Sequence, residues 1–349
     1  MGTPFSCSRW VAGDPPPPPL YPPAPERMSA DSSVRGSEER AVEPNIDLGK
    51  GLGGLQMIRM THSSGCVCEV YLWGATVTSY RLGSGKEILF VSPDAVFDGV
   101  KAIRGGIPVV FPQFGQPNKD MPSHGFARIQ NWTIDKKQCS IHKNGMLEVV
   151  LTLEQSEQTL KMWPFEFQLE YAIRLSSDSL QTALTIHNPH LVEWSFQTLL
   201  HSYLRVPDIA TTSVSGLKGA SYIDKVDEGA VKTETSSEVR FSKRTDRIYR
   251  AATGGLGVVA AATVKSRGRD LVSVEATCSR AANSTWSGAT PSPDLVVWNP
   301  FPEASPSDLK DGYKHMICVE PGLVSEAVTT LLQGRMTLTQ TIFSAEESE

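Results

Sequence analysis

The 349 residues are 40% hydrophobic and 20% charged, with a formal net charge of −5, which supplies enough apolar material for a substantial core. Lys and Arg form no basic run, so the electrostatic footprint of a nucleic-acid surface is missing. No stretch of about 18 apolar residues occurs, and no basic segment followed by an apolar one opens the chain, so neither a membrane span nor a secretory signal is expected and a cytoplasmic location is.

Residues 1 to about 45 are expected to be a disordered, Pro-rich tail. Eight of the 24 prolines fall between Pro15 and Pro25, and the following MSADSSVRGSEERAVEPN has almost no large apolar side chain. Its start, MGTPFSC, fits the loose pattern for N-myristoylation at Gly2, with Cys7 open to a second lipid, although so short a pattern is common by chance. The polyproline run could also serve as a ligand for a partner. Next, LGKGLGGLQM lacks the spacing of a phosphate-binding loop and any helix to follow, so it reads as a flexible entry to one domain spanning 46–349.

From about Met57 the dominant period is two, the mark of strands with one face buried. CEVYLWGATVTSYRL comes first. The stretch AIRGGIPVVFPQFGQPNKDMPSHGFAR, residues 102–128, then sustains no period, and Arg104 and Arg128 frame its glycines, prolines, phenylalanines and histidine. MLEVVLTLEQ resumes the alternation. FEFQLEYAIRL puts Phe165, Phe167, Leu169, Tyr171, Ile173 and Leu175 on one face, and after an SSDS turn SLQTALTI continues with Leu180, Thr182, Leu184 and Ile186. GLGVVAAATV, DLVSVEAT, DLVVWNP, HMICVEPG and RMTLTQTIF follow. Many strands, polar turns, no long amphipathic helix and no strand–helix alternation imply an all-β chain forming one large antiparallel sandwich.

On such a sandwich, function usually lies on a concave face or on edge loops, so the candidates are titratable residues in apolar surroundings. His201, in WSFQTLLHSYLRV, is either a core histidine bonded to backbone or a working group. Glu320, in HMICVEPGLV, ends an apolar strand and has to be hydrated, paired or functional. Asp246 in SKRTDRIYR suits a turn equally well, and Arg104 and Arg128 suit surface ion pairs. Trp298 reads as core or pocket wall. His187 and His190 in TIHNPH have no third ligand nearby in sequence, and the six cysteines are irregularly spaced, so no metal site is expected and the thiols are expected to be reduced.

Taken together, IRGGIPVVFPQFG, SHGFAR, LLHSYLRV, TDRIY, VVWNP and MICVEPG, in this order over about residues 55–343, resemble the glucose-6-phosphate 1-epimerases, the hexose-phosphate mutarotase branch of the aldose 1-epimerase family. The resemblance implies a galactose mutarotase-like supersandwich with a sugar-phosphate cleft on a concave sheet face. It implies His201 and Glu320 as the catalytic pair, Arg104 and Arg128 as phosphate ligands, Asp246 as a ligand of sugar hydroxyls and His124 in the cleft wall. Ser123 stands where some members carry a substrate-binding glutamine, so that contact passes to a shorter side chain, to backbone or to water.

Exchanging α and β anomers of a hexose 6-phosphate requires ring opening, in which the C1 hydroxyl loses a proton and the ring oxygen gains one. The expected arrangement sets Glu320 as base and His201 as acid on opposite sides of the C1–O5 unit. No hydride moves, so neither a nicotinamide nor a flavin cofactor is expected. The 102–128 loop is then expected to be a phosphate clamp, because arginine grips a dianion bidentately. Its Gly105–Gly106 pair would let backbone approach the ligand, and Pro108 and Pro112 would stiffen it. Two alternatives stay open: an aldose 1-epimerase for free hexoses such as galactose, and a non-catalytic sugar-phosphate binding module on the same sandwich. A monomer is expected, since a closed sandwich leaves no evident unpaired apolar face.

Overall fold

The computed structural model describes residues 42–189, 192–250, 260–280, 290–326, 329–331 and 333–345. The expected tail up to residue 41, with Gly2 and Cys7, and His190 lie outside the described residues.

Strand alternation divides the side chains between two large antiparallel sheets. The ten-stranded sheet runs, edge to edge, through Glu238–Arg240, Thr212–Ser215, Ala260–Ser266, Arg269–Arg280, Arg335–Ser344, Ser179–His187, Gln168–Leu175, Leu147–Glu154 and Thr133–Ile134, with Ser140–Ile141 also on Leu147–Glu154. The eight-stranded sheet runs through Ala230–Thr233, Ser221–Asp224, Thr245–Tyr249, Asp294–Asn299, Met316–Leu323, Thr198–Leu200 and Val109–Val110, and Tyr203–Arg205 also pairs with Met316–Leu323. Leu169, Tyr171, Ile173 and Leu175 from the first sheet meet Leu295, Val297, Ile317 and Val319 from the second in one core. Burying each such aliphatic side chain stabilises by about 1.5–3 kcal/mol before entropy is counted. On the other face of the eight-stranded sheet Phe90, Tyr203, Leu309, Met316 and Cys318 form one apolar cluster, and Val110, Leu199, Ile248, Val296 and Val324 form another.

The Gly-rich entry is more ordered than its composition suggests. Asn45–Lys50 pairs with Gln56–Thr61 in a four-stranded sheet completed by Val67–Tyr71 and Val77–Arg81, and Leu52–Gly54 is a 3-10 turn between the first two. Helices are few and short among the described residues: Glu157–Met162, capped through Ser156 and Thr159, and Phe301–Ala304. None of the described helices is long and apolar enough to cross a membrane.

Aromatic burial anchors the 102–128 segment. The Phe111 ring lies 5.4 Å from Phe167, 5.5 Å from Trp163 and 5.8 Å from Phe196, with Phe126 at 6.1 Å. Next to it Val109–Val110 is a short strand paired with Leu199 and Leu200, so the segment is partly sheet. The glycine pair meets a steric need of the scaffold. A Cβ on Gly105 would sit 2.4 Å from the Phe90 carbonyl oxygen, and one on Gly106 2.1 Å from that of Val77. Both residues have positive φ, 117° and 67°, so they let the segment press against its own scaffold.

Candidate active site

The Met316–Leu323 strand is buried along both faces, which requires cover on the side away from the core. Alternation turns Ile317 and Val319 inward and Cys318 and Glu320 outward. Register sets their neighbours: Cys318 lies beside Tyr203 on one side and Trp298 on the other, Trp298 lies beside Asp246, and Glu320 beside Val296. His201 sits in the two-residue step between Thr198–Leu200 and Tyr203–Arg205. Its amide is tied to the Pro108 carbonyl at 3.0 Å.

These placements bring His201 and Glu320 together, His201 being 6% and Glu320 1% exposed. His201 Nδ1 is 3.0 Å from Glu320 Oε2, yet the contact is off the line that a hydrogen bond requires, and both atoms are buried without a hydrogen-bond partner. The Tyr203 ring stacks on the imidazole at 4.6 Å, and Trp298, which also packs against the two apolar clusters of this face, meets it edge-on at 5.8 Å, so the histidine ring is held in place.

Electrostatics favour the neutral form of each partner. Burial, with the Asp246 carboxylate adding to it, pushes Glu320 well above the ordinary carboxylate value, while Lys225 opposes. Burial, with His124, Arg128 and Arg104 nearby, pushes His201 well below 6.5. Neutral imidazole with carboxylic acid, and imidazolium with carboxylate, differ only in which group holds one proton.

His124 faces His201 with ring centroids 5.6 Å apart. Its Nδ1 accepts from the Gly115 amide at 3.3 Å, which places the ring proton on Nε2. Burial, then Arg128, Lys225 and Arg104, hold it down to about 3, so it stays a neutral donor. Asp246 is buried on Thr245–Tyr249, 3.7 Å from Lys225 Nζ, and burial raises it above the usual carboxylate value despite that lysine.

The two arginines differ in how far their charge is already met. Arg104 donates from Nε to Asp308 at 2.9 Å and from Nη1 to the Tyr203 hydroxyl at 3.2 Å. Burial works against its charge, but Tyr203 and Asp308 outweigh that and keep it firmly protonated. Arg128 donates from Nη2 to the Ser123 carbonyl at 2.7 Å, and its buried Nε has no partner. Burial, together with Arg104, draws Arg128 down to about 10. This under-satisfied guanidinium has the donor geometry and charge for an anion. Ser123 is exposed and supports the site through its carbonyl oxygen.

Four contributors escaped the sequence reading as site residues: Tyr203, Asp308, Lys225 and Phe114. Tyr203 carried a usable signal, since it is two residues from His201 and strand alternation puts both on one side. Asp308 carried none. It is positioned by its neighbour Leu309, buried against Phe90 and Met316, in a segment held by Asn299 Nδ2 on the Tyr313 and Met316 carbonyls. Lys225 lies over the Phe114 ring at 4.6 Å, and Phe114 contacts His124.

The family model described as aldose 1-epimerase matches residues 56–344. A protein of Cenchrus ciliaris named "Putative glucose-6-phosphate 1-epimerase" is 33% identical over 294 residues, 82% of this chain and 84% of its own. The crystal structure of a "putative mutarotase" from Salmonella typhimurium superposes with a TM-score of 0.68 at 26% identity, covering 86% of this chain and 97% of that one. A galactose mutarotase related enzyme from Lactobacillus acidophilus shares the fold, with a TM-score of 0.62 at 14% identity over 87% of this chain and 99% of that one.

Proposed function

Since the chain belongs to the aldose 1-epimerase family, we propose that it interconverts the α and β anomers of D-glucose 6-phosphate, and of related hexose 6-phosphates, with His201 and Glu320 as its acid–base pair. In the forward step one member of the pair takes the proton of the C1 hydroxyl while the other delivers a proton to the ring oxygen. The ring opens to the aldehyde, rotation about C1–C2 presents the other carbonyl face, and closure returns both protons. Each group is therefore acid in one half of the cycle and base in the other, so the neutral resting pair and the ion pair are both competent. A positioned acid or base contributes typically ~10²–10⁴-fold. Asp246 and the Nε2–H of His124 serve the sugar hydroxyls, and Trp298 its apolar face.

The observation that carries the phosphate assignment is Arg128, whose buried Nε has no partner and whose charge is disfavoured until an anion arrives. Arg104, already paired with Asp308, forms the second side of the same subsite. A free hexose offers nothing to satisfy these cations, which weighs against galactose as the main substrate. A binding module without catalysis would have no use for two buried, unpartnered acid–base atoms. The five described cysteines are all free thiols, which suits a reducing, cytoplasmic setting.

The test is anomer exchange followed by NMR saturation transfer on glucose 6-phosphate and, in parallel, free galactose, with the uncatalysed rate subtracted. Fast exchange of the phosphate ester, slow exchange of galactose and loss of both in His201→Asn are expected. Equal turnover of the two sugars would remove the phosphate specificity, and no acceleration by folded protein would remove the enzyme reading.

A further inference from the structure

We propose that the same cleft takes one divalent transition-metal cation of the zinc type, held by His201 Nδ1, Cys318 Sγ and a Glu320 carboxylate oxygen, and that the bound ion blocks anomer exchange. The three ligand atoms lie within 4.8 Å of one another in fully buried surroundings. Strand geometry produces the set, because Cys318 and Glu320 are two apart and share a face, while Tyr203, two residues after His201, is the register partner of Cys318.

The second observation is that His201 Nδ1 and Glu320 Oε2 are buried, face one another at 3.0 Å and have no hydrogen-bond partner. Sugar chemistry engages the histidine and the glutamate but has no use for a thiol. Imidazole, thiolate and carboxylate are together a donor set for zinc, whereas magnesium and calcium ask for oxygen alone. Thiolate and carboxylate also neutralise a divalent ion, so the occupied site carries no net buried charge. Zinc bond lengths put the edges of a tetrahedron at roughly 3.3–3.6 Å, so the 3.0 Å between Nδ1 and Oε2 has to widen by a few tenths and a separation at the 4.8 Å limit has to close by about 1.2 Å. Binding releases the thiol proton and the proton shared by the pair to solvent, and the groups that would move a proton at C1 become occupied.

The inhibitory part of this proposal rests on the reading of His201 and Glu320 as the acid–base pair; the binding site itself does not. Full-length protein stripped with a chelator is titrated with cobalt chloride and then with zinc chloride. One equivalent of cobalt is expected to raise a thiolate-to-metal charge-transfer band in the near ultraviolet, zinc is expected to abolish it, and zinc is expected to inhibit glucose 6-phosphate exchange reversibly on adding EDTA. Cys318→Ala is expected to lose the band and to need at least tenfold more zinc for the same occupancy. If that variant does not fold, Cys318→Ser with retained near-ultraviolet dichroism serves, and Glu320→Gln is expected to weaken zinc binding by tenfold or more. No band in the wild type, or a band of equal strength without the Cys318 thiol, would overturn the site. A Cys318-dependent band in a protein that accelerates no anomer exchange supports the metal site and removes only its inhibitory consequence.

Discussion

The two faces of the Met316–Leu323 strand are equally buried and chemically opposite. Inward, Ile317 and Val319 meet the ten-stranded sheet in an apolar core. Outward, one residue along, Cys318 and Glu320 share space with His201, Trp298 and Tyr203, and polar atoms are left without partners. The first face stabilises the fold by removing apolar surface from water. The second gives up stability, since unsatisfied buried donors and acceptors each cost about 1–3 kcal/mol. The difference shows where this molecule holds its chemistry: on the surface of its own second sheet, where cover is supplied by the 102–128 segment and by the loop bearing Asp308, and not by another sheet.

Substitutions on the two faces are expected to fail in different ways. Glu320→Gln should lower kcat for glucose 6-phosphate exchange by ~10²–10⁴-fold with little change in KM; retention of more than a tenth of the rate would dissolve the contrast. On the inward face, Ile317→Ala is expected to cost about 2–5 kcal/mol of stability, read by chemical denaturation, while the folded fraction keeps its kcat.

The two arginines allow a finer separation. Arg128→Gln should raise KM for the phosphate ester by about 10–100-fold, the value of a charged hydrogen bond of about 1.5–3 kcal/mol, and leave galactose turnover unchanged. Asp308→Asn, which loosens Arg104 without removing a guanidinium, should raise the same KM only several-fold. Equal effects would mean that the unpaired Nε of Arg128 carries no special weight.

The smallest expected effect is on melting temperature. Glu320 titrates in the fold well above its ordinary 4.5, so as pH rises past 4.5 the unfolded chain releases a proton that the folded chain keeps, and the fold is penalised. Glu320→Gln removes that penalty. Its Tm should exceed wild type at pH 7, by about 2 °C or more, and the gain should vanish below about pH 4.5. A gain independent of pH would point to packing and not to the buried carboxyl.

The sequence by itself determined the all-β architecture, because a period of two sustained through FEFQLEYAIRL, SLQTALTI and RMTLTQTIF has no other low-energy solution than paired strands, and these became Gln168–Leu175, Ser179–His187 and Arg335–Ser344. The resemblance carried by its ordered blocks pointed further, to His201, Glu320, Arg104, Arg128, Asp246 and His124, which the fold brings to one face of one sheet. The three- to five-residue strands between Trp194 and Tyr249 were not legible, since so few alternations cannot be told from loop, and neither was the ordering of the glycine-rich entry. Tertiary structure alone decided that His201 and Glu320 touch, that Arg104 is already committed to Asp308 while Arg128 is not, that the glycine pair serves the scaffold, and that Cys318 lies beside His201 and Glu320. The physical reason is common to all four. Strand period assigns a residue to a face, whereas its partner on that face is set by the register of a neighbouring strand or by a loop more than a hundred residues away in sequence, as Arg104 and Asp308 are at a separation of 204.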